Sequence, residues 1–152
     1  MSRRLTAEDA SQSLGAHVAA RGAEIFEKYG PRIGWNEVLR ILEDRTCARY
    51  PCKVAFDAAP LQKGECAYCR PNSDKPEDGF VIHVHPLLMM QMDRVAHWVL
   101  YQLVVVNYGE FGSSDDAEVF GAAALGISRE KYYQGLCQMT VLLEGEPVSC
   151  GA

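Results

Sequence analysis

The sequence predicts an α+β fold in which a small, mostly antiparallel three-stranded sheet packs against helices in the order ααβββααα. Three observations predict it. Met92, Val95, Ala96, Val99, Leu100, Leu103 and Val104 recur at i, i+3, i+4 and i+7, the spacing of a buried helical stripe. Phe80-Val-Ile-His-Val-His85 is a β-rich run that follows a stretch of turn formers. Caps and breakers then divide the rest of the chain into short elements.

In order, Thr6-Ala-Glu-Asp9 has the form of a capping box, and a helix should follow it to about Tyr29. Leu14, Val18, Ile25 and Phe26 form its apolar side, and Gly30-Pro31 ends it. Trp35, Val38, Leu39 and Leu42 predict a second helix over 35–44. Residues 52–57 and 64–70 read as strands, and the exposed hairpin loop 71–79 leads into the third. The long apolar helix covers 91–107 and stops at Asn107-Tyr-Gly109. Ser113 or Ser114 caps a helix whose first turn holds Asp115, Asp116 and Glu118, where acids complement the helix dipole. Gly126 closes it, and Ser128 caps a last helix carrying Tyr132, Tyr133, Leu136 and Leu143.

At 152 residues and 16.8 kDa the chain fits one domain, with an N-terminal helix in 1–30, a core over 35–144 and a loose tail over 145–152. With 48% hydrophobic and 23% charged residues it has the profile of a folded protein, not of a disordered or rod-like one. No run of about 18 apolar residues is present, and no apolar segment follows the basic Met1-Ser-Arg-Arg4. The expectation is a cytoplasmic protein without a membrane partner. The net charge of −5 is uneven: residues 1–55 carry nine basic and seven acidic side chains, residues 56–152 six and thirteen. A nucleic-acid partner would need a concentrated basic footprint, and none is visible.

Six cysteines, Cys47, Cys52, Cys66, Cys69, Cys137 and Cys150, are expected to be reduced thiols. Cys47-x4-Cys52 and Cys66-x2-Cys69 could supply four soft ligands to zinc. If 64–70 is a strand, however, residues three apart point to opposite faces, and the thiols instead serve as small buried hydrophobes.

His83 and His85, two apart on a strand, share a face about 7 Å apart, which suits a metal or an anion as well as two hydrogen-bonded core imidazoles. His97 shares a helical stripe with Asp93 and Tyr101, so Asp93 could hold its tautomer and leave the other nitrogen free as a base. Arg94 stands four residues before Trp98, at cation–π spacing. No phosphate-binding or dinucleotide motif and no nucleophile elbow is present.

A strand ending Val-Ile-His-Val-His-Pro86, followed by a helix with Val95-Ala-His-Trp-Val-Leu-Tyr101, resembles the core of the minimal zincin metallopeptidases. Their helix carries an A-H-E-x-x-H-like motif, and a third ligand follows near a stretch that Asp116-Ala-Glu-Val-Phe-Gly-Ala122 resembles. Carried over residue by residue, the first ligand is His97. Trp98 stands where the general-base Glu would be, Tyr101 where the second His would be, and Ser114, Asp115 or Glu118 at the third ligand. Trp cannot take a proton from a metal-bound water, so zinc peptidase activity is not expected.

Three function classes remain. The leading one is a non-catalytic or atypical domain binding zinc or another transition metal on a degenerate zincin-like scaffold. Its ligands would be His83, His85 and His97, or alternatively Cys47, Cys52, Cys66 and Cys69. The second is a metal-free interaction module with a protein partner or a second copy. The third is a small enzyme in which His97, oriented by Asp93, acts as general base.

Overall fold

The apolar stripe of the long helix is the centre of the molecule. In this computed structural model, which describes residues 6–144, Val95, Val99, Leu100, Leu103, Val104 and Val106 are all at most 1% exposed. They lie on α3, which spans Met92–Tyr108. The elements before it are α1 (Ala7–Tyr29), α2 (Trp35–Glu43), β1 (Cys52–Phe56), β2 (Ala67–Pro71) and β3 (Phe80–Val84); α4 (Ser114–Leu125) and α5 (Arg129–Glu144) follow. Single 3-10 turns at Pro76–Asp78, Pro86–Met90 and Gly109–Phe111 join them. The α+β class and the element order are those the sequence predicts. Thr6 stands at the start of α1; the Asp9 side chain and the expected loose tail lie outside the described residues.

The sheet is mixed rather than mostly antiparallel. Its order is β1–β3–β2, with β2 antiparallel and β1 parallel to β3. The physical reason lies in β3, the most buried strand, which takes the centre so that both neighbours satisfy its backbone. Ile82 and Val84 are completely buried; Val54 and Cys69 pair with Ile82, Phe56 and Ala67 with Val84. This face belongs to the same apolar cluster as α3.

Capping chemistry sets the last helices. Ser113 Oγ accepts from the Asp116 N–H at 3.1 Å, and the Asp116 carboxylate accepts from the Ser113 N–H at 3.0 Å, a reciprocal box. Gly126 closes α4 in the left-handed conformation, and Ser128 Oγ accepts from the Lys131 N–H at the start of α5. α1 packs along α4, which places Val18 and Ile25 in the common core, while α3, α4 and α5 pack on one another. No helix among the described residues is long and apolar enough to cross a membrane.

Candidate functional site

The three histidines of the first ligand set go to three different environments. His83 points away from the Ile82–Val84 face of the sheet, and it is 5% exposed with neither ring nitrogen hydrogen-bonded. His85 Nδ1 accepts from the Leu87 N–H at 3.1 Å and so caps the turn that leads into α3. His97 faces α5. Its ring stacks on Tyr132, with centroids 5.2 Å apart and planes at 9°, and the Tyr132 hydroxyl donates to the His97 backbone carbonyl at 2.6 Å.

Both nitrogens of His97 are engaged. The Arg94 guanidinium donates to Nε2 at 3.3 Å, so Nδ1 carries the proton and meets the Asp93 backbone carbonyl at 3.4 Å. The backbone of Asp93, not its carboxylate, therefore orients this ring. Burial first, and then the Arg94 charge, holds the imidazole below its ordinary pKa. Arg94 itself turns to His97 and to Gln138 on α5, at 2.9 Å, rather than over Trp98. Gly135 makes this closure fit, because a Cβ there would sit 2.8 Å from His97 Nε2 and 2.9 Å from Arg94 Nη1.

These positions do not fit a metal ion. A ligand needs a free lone pair, and the His97 Nε2 pair faces a guanidinium. Trp98 offers only a donor, and burial raises the Tyr101 phenol, which opposes the phenolate a metal would need. Among the described residues no group of three or more His, Cys, Asp or Glu could hold an ion.

The cysteines do not gather into one set either, although Cys52 lies close enough to raise the Cys69 thiol further. Cys69 lies on the sheet face beneath α3, whereas Cys66, just before β2, has its thiol 3.9 Å from the Thr140 hydroxyl of α5. Desolvation pushes Cys52 and Cys69 up to about 12 and Cys66 up to about 11. Cys47 is raised by burial too, beside Thr46. Such thiols stay protonated and pack as small apolar groups.

Three positions marked by the zincin resemblance nevertheless come together. Trp98 and Tyr101 of α3, with ring centroids 5.5 Å apart, and Glu118 of α4 line one groove of about 360 Å³. Its other wall is α5, through Tyr133, Leu136, Cys137, Thr140 and Val141. Glu118 is held by Arg129, which also pairs with Asp115 at 2.6 Å. That pairing, with Asp116 in the cap, accounts for the acidic cluster. The groove thus presents aromatic and aliphatic walls, with its one carboxylate already paired.

The α5 wall is what sequence reasoning missed. The available signal was the sequence repeat of Tyr133, Cys137 and Val141 at intervals of four, a second stripe beside the buried Tyr132, Leu136 and Met139. No family model, curated protein or solved structure matches the chain.

Proposed function

We propose that this chain is a non-catalytic interaction module that self-associates through the groove between α3 and α5. One observation carries the reading: Trp98, Tyr101 and Glu118, three of the positions where the resemblance would put metal chemistry, line an apolar groove instead, beside exposed apolar side chains. Tyr133 is 53% exposed and Val141 64%, although both belong to a helix that otherwise buries Tyr132, Leu136, Met139 and Leu143. One helix therefore supplies both projecting side chains and much of the recess beside them. That combination is self-complementary, and a twofold pairing of α5 helices puts the projections of one copy into the groove of the other. Polar groups at the rim, Glu118 with Arg129, set register more than affinity.

The reading competes with the metal-binding and general-base readings, and the chemistry of the site weighs against both. His97 lacks a free nitrogen, and no ligand cluster surrounds it among the described residues. Sedimentation velocity on dilution tests the proposal. The wild type should show a concentration-dependent dimer, and Val141→Asp, at an exposed site, should abolish it without loss of fold. A wild type that stays monomeric across the micromolar range, or a dimer indifferent to Val141→Asp, would refute it.

A further inference from the structure

A second cavity lies away from this groove, where α1, the turn after α2 and the C-terminal end of α3 meet. It encloses about 320 Å³, and its lining includes His17 and Arg21 of α1, Arg45 and Arg49, and Tyr108. Ile25, Cys47 and Phe120, all nearly buried, lie at the apolar side of the same cleft. We propose that this cleft binds the phosphoryl group of a small molecule.

The charge is concentrated against the trend of the chain. Three arginines line this one cavity in a protein of net charge −5. Arg21 is partly committed to Glu24, at 3.1 Å. Among the described residues Arg45 donates only to the Leu42 carbonyl, at 3.1 Å, and Arg49 lies over the Tyr50 ring with its guanidinium carbon 5.3 Å from the centroid. Among the described residues neither has a carboxylate partner. The nearby Asp44 carboxylate is occupied by Lys28, Tyr29 and Thr46. Planar guanidiniums with free donors match the oxygens of a phosphate in pairs.

The turn that carries these arginines is also held rigidly. Asn107 of α3 donates to the Cys47 carbonyl at 2.7 Å and accepts from the Arg49 N–H at 2.8 Å. Asp44 accepts from the Thr46 N–H and hydroxyl at 2.9 and 2.7 Å, and its own carbonyl accepts from the Cys47 and Ala48 amides. A turn fixed from both sides loses little freedom when an anion docks. The volume is at the small end for organic ligands, so a compact phosphomonoester or diphosphate fits and a polynucleotide does not. The cavity is separate from the α3–α5 groove, so this inference does not rest on the self-association reading.

The test is calorimetric titration of the whole protein with inorganic pyrophosphate, with citrate as a polycarboxylate comparator at matched ionic strength. Saturable pyrophosphate binding is expected, weakened about tenfold or more by Arg45→Ala and by Arg49→Ala and retained in part by the two Lys variants. Both side chains are exposed, so the variants should fold, which circular dichroism checks. Absence of saturable heat up to about 10 mM pyrophosphate, a complex too weak to be a site, would overturn the proposal. So would binding unchanged in the Arg45→Ala/Arg49→Ala double variant, or citrate binding as tightly as pyrophosphate.

Discussion

Replacing Gly121 by Ala should destabilise the protein, although helix propensity alone predicts the reverse. Gly121 lies inside α4, where Ala is worth about 1 kcal/mol more than Gly. A Cβ there, however, would fall 2.1 Å from Tyr132 Cζ and 2.3 Å from its hydroxyl oxygen. Non-bonded carbons need about 3.5–4.0 Å, so the ring or the whole of α5 must retreat by about 1.5 Å. Tyr132 is completely buried and has nowhere else to go. Overpacking of this kind costs about 1–3 kcal/mol. The displaced ring also loses its hydrogen bond to the His97 carbonyl, about 1 kcal/mol, and its stacking on the imidazole, about 0.5–1 kcal/mol. After crediting the helix gain, the net loss is about 1.5–4 kcal/mol, which for a chain of this size lowers the melting temperature by about 3–16 °C. Thermal and urea unfolding of Gly121→Ala, Tyr132→Leu and the double variant measure it. The smaller Leu should relieve the clash and give a coupling of about 1 kcal/mol or more. A Gly121→Ala protein that melts at or above the wild type would refute the packing argument.

Other consequences follow from the same contacts. Cys52, Cys66 and Cys69, with thiols raised to between about 11 and about 12, should resist alkylation at pH 8 in the native state and react on unfolding, as mass spectrometry reads directly. The Asp44 carboxylate, held well below its ordinary value by Lys28, Tyr29 and Thr46, stabilises the fold above the unfolded carboxylate range, and that contribution is lost as pH falls towards the folded value. Asp44→Asn should therefore cost about 1–2 kcal/mol at neutral pH and flatten the acid limb of the stability curve. The His97 pKa is depressed, so its stabilising contribution is complete above the unfolded histidine value and declines as pH falls below about 6.5. Nitrogen-detected NMR should find this ring neutral, with the proton on Nδ1, at pH values where an exposed histidine is already charged.

What the sequence made legible was local. The 3.6-residue stripes of α1 and α3, the Ser113 and Ser128 caps and the Gly126 stop need only neighbouring residues, and each stands where periodicity and capping put it; α2 also forms where expected, but Ile41 rather than Leu39 is buried beside Val38 and Leu42, and Leu39 is exposed. The partner of β1 was not legible, because its parallel pairing with Phe80–Val84 spans a connection that contains β2. No local signal reports that crossover. At the candidate site, the shared face of Trp98 and Tyr101 follows from helical spacing, but the role of α5 depends on how closely Gly121 and Gly135 let it approach. His97 shows the same limit. The stripe with Asp93 and Tyr101 was readable, whereas the stacking of Tyr132 and the bond from Arg94 to Gln138 join residues of α3 and α5 that lie 35 or more positions apart. The basic cleft was harder still, since it gathers residues from 17 to 120. Its one trace in the sequence is the excess of basic side chains before residue 55.

Trp98 reports on the groove itself and gives the most direct test of self-association there. Trp35→Phe leaves Trp98 as the sole tryptophan and keeps an aromatic ring against Phe56. If α5 and the groove form the contact, dilution through the dissociation range should shift Trp98 emission to the red and raise its quenching by acrylamide, in step with the loss of dimer. Emission and quenching that stay constant while the dimer dissociates would contradict the account.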